Sequence, residues 1–207
     1  MSEQILVVPR KILFGEKNER YFEGFQPRKN LDFENTIKKH SQFILRKTTS
    51  PKQPIPAEQD ESMKQIIPYI VFRHKDRYFV YKRLEKSEEE RLVAKYSMGI
   101  GGHINPIDVN STNILWEGMK REFEEEVNYP YDYNTKIIGF INDDKDSVGR
   151  VHFGVVFLVE GSNDRIDVKE LDKLSGQMIT LLEAKKFRDK MEGWSQIVFD
   201  WLRRNNI

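Results

Sequence analysis

The 207-residue chain contains no cysteine. Disulfides, thiolate nucleophiles and cysteine-ligated zinc are excluded together. Its four histidines, His40, His74, His103 and His152, fall at no H-x-x-x-H or comparable spacing, which argues against a histidine zinc site. No apolar run approaches the roughly 20 residues that cross a bilayer. Ile5-Leu6-Val7-Val8 is too short for the core of a secretory signal, and the acidic Glu3 precedes it. The expected compartment is therefore the cytoplasm, with no membrane partner. A net charge of +1 gives no global signal for nucleic acid. Two nucleotide fingerprints are also missing. The run Gly99-Ile100-Gly101-Gly102 does not extend to G-x-G-x-x-G ahead of a helix, and G-x-x-x-x-G-K-[ST] occurs nowhere.

What the chain has in quantity is charge, at 32% of residues against 38% hydrophobic. It is unevenly spread. Residues 28–52 hold Arg28, Lys29, Lys38, Lys39, Arg46, Lys47 and Lys52 against Asp32 and Glu34, whereas residues 117–146 hold nine acids and four bases. The densest acidic stretch is Arg121-Glu122-Phe123-Glu124-Glu125-Glu126. On a helix at about 100° per residue, Glu122, Glu125 and Glu126 fall on one side, roughly with Leu115, Gly118 and Met119. Glu117, Lys120 and Glu124 take the opposite side. Partly buried like charges are costly unless something neutralises them. A divalent cation does so, and clustered carboxylates suit hard ions such as Mg²⁺. The plainer alternative is a solvated, glutamate-rich helix, since Glu is a good helix former.

Residues 5–14 and 21–25 read as short strands or a hairpin-like entry, with Pro9 placing the first at a sheet edge. Residues 26–64 are irregular around Pro27, Pro51, Pro54 and Pro56, with a short helix at 33–46 and a loop or lid at 50–62. Ile66–Arg73 and Tyr78–Arg83 form a hairpin across His74–Arg77. Residues 84–95 are a charged loop or partial helix, Tyr96–Ile104 a glycine-laden strand and turn, and 113–127 the glutamate helix, capped by Ser111, Thr112 or Asn113. Lys136–Ile141 and Val151–Glu160 are further strands, the second central, joined by an acidic linker. Short helices at 168–175 and 180–190 precede a closing helix at 194–204. The class is α/β in the mixed α+β sense, with helices flanking a mixed sheet.

Gly102, the Arg121–Glu126 stretch and Tyr129 together resemble the Nudix box, G-x5-E-x7-R-E-U-x-E-E-x-G-U with U hydrophobic. The likeness covers about 101–129, and the flanking strands extend it over 65–204. Asn113 stands where the pattern has its first glutamate, a loop support, and Asn128 where it has its second glycine. The span from Gly102 to Arg121 is five residues longer than the box. The resemblance implies an α/β/α sandwich over 65–207 with residues 1–64 as an N-terminal extension. It also implies cleavage of the P–O–P bond of a nucleoside diphosphate linked to another moiety, with Mg²⁺ or Mn²⁺. By position, Glu122, Glu125 and Glu126 would hold the metal, joined by a carbonyl of Gly101 or Gly102. Glu122 or Glu125 would serve as base, and Arg121 would orient a glutamate. His103 and Asp144 are candidate substrate contacts, with Asp143, Asp146 and Glu160 as further acids. Trp116, Trp194 and Trp201 read as packing residues. The partner is a small nucleotide-like diphosphate, and a homodimer is left open. The competing reading is a catalytically weakened Nudix-fold module that binds nucleotide or regulates. An isoprenoid diphosphate isomerase is disfavoured by the missing cysteine.

Overall fold

The hairpin expected across His74–Arg77 is present. β4 (Met63–His74) turns into β5 (Arg77–Arg83) through Lys75 and Asp76, with Lys75 at φ 55°. In the computed structural model the described residues are 3–48, 54–84, 94–110 and 113–207. Ser111, Thr112, the Glu88–Glu90 run and the beginning of the 50–62 loop lie outside them. The chain folds as a mixed sheet with helices. Its strand order is β11 (Leu174–Thr180), β5, β4, β9 (His152–Gly161), β8 (Tyr133–Asn142), β2 (Gly24–Pro27), with β1 (Gln4–Pro9) pairing both β4 and β3 (Gln42–Leu45), and with β6 (Tyr96–Ser97) beside β5. β9 (His152–Gly161) is central, as its apolar run predicts. Two compact units divide the chain, and β4, β8 and β9 contribute a portion to each.

The first unit comprises Met1–Pro68, Gly102–Arg121 and Ile138–Val155. β1 (Gln4–Pro9) runs antiparallel to β3 (Gln42–Leu45), with Ile5 opposite Ile44. It also pairs with the start of β4, with Val7 opposite Gln65. β1 is thus flanked on both sides, and the edge position expected from Pro9 is corrected. Proline is tolerated because it is the strand's last residue. The chain then turns into α1 (Arg10–Phe14), where a strand had been expected, and Leu13 and Phe14 are buried. Pro9 sets this turn with its φ of −56°, and the Arg10 N–H bonds to the Ser62 carbonyl.

The helix expected over 33–46 is α2 (Phe33–His40) and stops there. Asp32 caps it, and the following Gln42–Leu45 is drawn into pairing with β1. β2 (Gly24–Pro27) sits a few residues later than expected and pairs with β8 (Tyr133–Asn142). A five-residue helix, α4 (Ser147–Val151), occupies the acidic linker, capped by Asp146. Phe14, Phe33, Phe140 and Phe153 form the core, with ring centroids 5.0–6.3 Å apart.

The second unit comprises Tyr69–Gly101, Glu122–Ile137 and Val156–Ile207. β11 (Leu174–Thr180) pairs with β5 along its whole length, from Leu174 opposite Arg83 to Thr180 opposite Arg77. That register overrides the helix expected at 168–175. Val168 lies instead in β10 (Asp167–Val168), opposite Val127 of β7 (Val127–Asn128). A capping box between Thr180 and Glu183 opens α5 (Leu181–Ala184), and a 3₁₀ turn follows over Lys185–Lys190. The closing helix is α6 (Gly193–Arg204), and β6 (Tyr96–Ser97) lies against β5. No helix among the described residues is long and apolar enough to cross a membrane.

Candidate functional site

The glutamate helix is α3 (Ile114–Glu126). Its phase follows the expectation at most positions. Leu115, Gly118 and Met119 are buried, and Glu117, Lys120 and Glu124 are exposed. Gly118 has a packing reason: a Cβ there would lie 2.7 Å from Ile104 Cγ1. Of the three carboxylates, Glu122 is only 7% exposed and Glu126 half-buried, but Glu125 is exposed. The common inward face is corrected to that extent. Glu126 is about 40° round the helix from Glu122, whereas Glu125 is about 60° the other way. Burial pushes the Glu126 carboxyl up, and the Glu170 and Glu125 carboxylates add to this, while Arg83 and Lys173 oppose it. Glu170, unremarked in the sequence, follows Lys169, whose backbone N–H bonds to the Glu126 carbonyl at 2.9 Å.

The glycine run is anchored upstream. Ser195 Oγ on α6 contacts Tyr69 Oη at 2.8 Å and Ser97 Oγ at 3.2 Å, and it accepts the Met98 N–H at 3.0 Å. The Gly99 carbonyl accepts from both Tyr81 Oη and Ser97 Oγ. A Cβ on Gly99 would lie 1.9 Å from the Tyr69 ring, so the chain passes there only as glycine. Gly101 is exposed and Gly102 half-buried.

In the first unit, Arg121 grips Asp108, which the sequence reading did not single out. Its Nε donates to Asp108 Oδ1 at 2.9 Å and its Nη2 to Oδ2 at 3.0 Å. Nη2 also donates to the His103 carbonyl at 2.7 Å. The His103 ring is held by Gln65. Gln65 Nε2 donates to the Ala57 carbonyl, so Oε1 is the atom facing His103 Nε2 at 2.7 Å. His103 therefore carries its proton on Nε2, leaving Nδ1 as its second nitrogen. Burial, with Arg46, His152 and Lys47 adding to it, pushes this imidazole down to about 3. It is neutral at physiological pH. His152 lies 5.6 Å away between ring centroids, with Nδ1 against the Val148 carbonyl.

Asp144 accepts from Arg10 and from Lys64 Nζ, the latter at 2.7 Å. Lys64 is fully buried, and its ammonium also meets the Gly149 carbonyl at 2.9 Å and the His152 carbonyl at 3.0 Å. Both cations hold the Asp144 carboxyl below the usual carboxylate range, against the opposing effect of its burial. The other candidate acids are engaged locally: Asp146 caps α4, Asp143 lies 3.5 Å from Lys145 Nζ, and Glu160 bonds Arg73 and Lys136. Trp194 packs edge-on against Tyr69.

The oxygen donors of α3 suit a hard divalent ion, because Glu122 and Glu126 place carboxylates where burial makes their charge costly. Among the described residues, no three or more histidine or acidic side chains are gathered closely enough to hold an ion as they stand.

A helix carrying R-E-x-x-E-E after a double-glycine turn, in a mixed sheet, is the arrangement of Nudix proteins. Protein YmaB of Bacillus subtilis (strain 168) is 32% identical over 209 residues, covering 98% of both chains. The crystal structure of Tm1382, described as a Nudix hydrolase candidate, is 34% identical with a TM-score of 0.78, covering 98% of this chain and 100% of that one. The Nudix domain of Shewanella oneidensis NrtR, solved with ADP-ribose, shares the fold at a TM-score of 0.54 and 11% identity, over 70% of this chain and 89% of that one. No protein-family model matches the chain. The chain belongs to the Nudix hydrolase superfamily.

Proposed function

We propose that the protein hydrolyses the P–O–P bond of a nucleoside diphosphate linked to a second moiety, with Mg²⁺ or Mn²⁺ as cofactor. The observation that carries this reading is the pair of withdrawn carboxylates, Glu122 and Glu126, on one stripe of α3. When bound, the ion neutralises phosphate charge and lowers the pKa of water. Glu122, Glu125 and Glu126 would hold it, with a carbonyl of Gly101 or Gly102 as a further donor. Glu125, exposed to solvent, is the carboxylate we assign to accepting the proton of the attacking water. Arg121 keeps the first turn of this stripe in place through Asp108 and the His103 carbonyl. His103 has only Nδ1 to offer a substrate, since Nε2 is committed to Gln65. ADP-ribose, the ligand in the NrtR structure, is the first substrate to try.

The test is a panel of ADP-ribose, nucleotide sugars and dinucleoside polyphosphates, assayed with and without Mg²⁺ on the parent protein and on Glu122→Gln and Glu126→Gln. Metal-dependent turnover that drops at least about a hundredfold in both variants supports the reading. Equal turnover in parent and variants removes these residues from the chemistry. Tight binding with no product moves the protein to the weakened, nucleotide-binding reading.

A further inference from the structure

The connection from Gly102 to α3 is longer than the Nudix pattern, and Asn113 stands where that pattern has a supporting glutamate. The longer connection contains a 3₁₀ turn, Pro106–Asn110. On it, Asp108 has a side chain only 3% exposed. Both of its carboxylate oxygens meet Arg121, one at 2.9 Å and the other at 3.0 Å. Oδ2 also accepts the Asn105 N–H at 2.9 Å, and the Asp108 N–H returns to the Asn105 carbonyl at 3.0 Å. The turn is therefore closed on itself before it grips the arginine. The same guanidinium reaches the carbonyl of His103, one residue past Gly102. One planar fork thus joins the inserted turn, the end of the glycine run and α3. A lysine could not make this contact, because only the guanidinium presents paired, fixed donors.

We propose that Asp108 is the positioning residue for Arg121 and, through it, for the Gly102–His103 segment against α3. The extra length of the loop supplies the support that the Nudix pattern draws from a glutamate at the place of Asn113. This inference rests on the Nudix reading of the site. It makes the insertion a working part of the site.

The experiment is a double-mutant cycle read by Mn²⁺ affinity, using electron paramagnetic resonance of free Mn²⁺, with turnover measured in parallel. The proteins are the parent, D108N, R121Q and D108N/R121Q. D108N keeps the shape of the side chain and removes its charge. It should weaken Mn²⁺ about tenfold in the parent background, the size of effect typical of residues that orient metal ligands. In R121Q it should weaken Mn²⁺ less than about twofold, since its partner has gone. In turnover, kcat should fall in D108N with KM little changed. D108E, which keeps the charge on a longer arm, is carried through the same cycle if D108N does not fold. Unchanged Mn²⁺ affinity and kcat in D108N, with only a lower melting temperature, would overturn the proposal. So would equal losses in both backgrounds. A parent that binds Mn²⁺ yet hydrolyses nothing defeats the hydrolase reading alone, and the Mn²⁺ cycle still decides Asp108. A parent that binds no Mn²⁺ defeats both.

Discussion

Replacing Lys64 with methionine removes the fully buried ammonium and leaves its surroundings nearly isosteric. Two backbone carbonyls, those of Gly149 and His152, lose the ammonium, although the Gly149 carbonyl keeps the His152 N–H. At about 1.5–3 kcal/mol for each hydrogen bond from a charged donor, that alone costs several kcal/mol. Asp144 keeps Arg10, so no carboxylate is abandoned. Against this loss stands the cost of burying the charge. Burial is the largest influence on Lys64 and pushes it down from 10.5 to about 8, in spite of Asp144, whereas Arg10 adds to the lowering. Holding the proton in the native state below pH 8 therefore costs about 3 kcal/mol, which methionine avoids.

Near pH 7 the two effects largely offset, and we expect Lys64→Met to lose only about 1–2 kcal/mol. The pH dependence is the sharper readout. Between pH 8 and 10.5 the unfolded lysine still binds its proton and the native one does not. The unfolded state then holds more protons, so native stability rises with pH. The parent should gain up to about 3 kcal/mol over the variant across that window. Urea unfolding of both proteins near pH 7.5 and near pH 10 measures it, and taking their difference cancels every other titration. A difference that stays level or shrinks as pH rises would refute the account of Lys64.

His103, pushed down to about 3, should show no titration of its ring protons by NMR between about pH 5 and 8. Because its native pKa lies below the unfolded value, the stability it contributes is fully present above about pH 6.5 and is lost as pH falls towards 3, which acid unfolding of a His103→Gln variant would reveal as a flatter profile. Gly149→Ala sets a Cβ 1.7 Å from the Asp143 carbonyl oxygen and should cost about 3 kcal/mol, because backbone must move. Gly118→Ala sets a Cβ 2.7 Å from Cγ1 of the buried, β-branched Ile104, and an overpacking cost of about 2–3 kcal/mol less a helix-propensity gain of about 1 kcal/mol leaves a net loss of about 1–2 kcal/mol. Ser195→Ala takes the partner from the Met98 N–H and the Tyr69 hydroxyl, while Ser97 keeps the Gly99 carbonyl, for a loss of about 2 kcal/mol in thermal or urea unfolding.

Elements whose pattern is local were legible in the sequence. The β4–β5 hairpin, α3 and α6 each carry their period, turn or charge stripe within one stretch of chain. Elements decided by a distant partner were not. Gln42–Leu45 could extend a helix, but β1 claims it. Leu174–Thr180 follows a helix-like polar run, yet seven cross-strand pairs with β5 make it a strand. At the site, spacing identified Glu122 and Glu126 but overestimated the burial of Glu125, since a three-residue step drifts off the helical stripe. Asp108 gave no signal, because its partner lies 13 residues away across an irregular turn. The roles of Gln65 and Lys64 were invisible for the same reason: their partners are 38 and 80 or more residues downstream.

That separation has a consequence for the chain as it is made. The three acceptors of Lys64 lie 80, 85 and 88 residues after it. At a synthesis rate of about 5–20 residues per second, the last of them leaves the peptidyl-transferase centre roughly 4–18 seconds after the lysine. Throughout that interval a positive charge still without its native acceptors stands two residues ahead of the apolar run Ile66–Phe72, exposed in the nascent chain to pairing with a neighbouring polypeptide. A charge in that position acts as a gatekeeper against aggregation. The lysine that methionine could nearly replace in the finished fold would then be guarding the unfinished one.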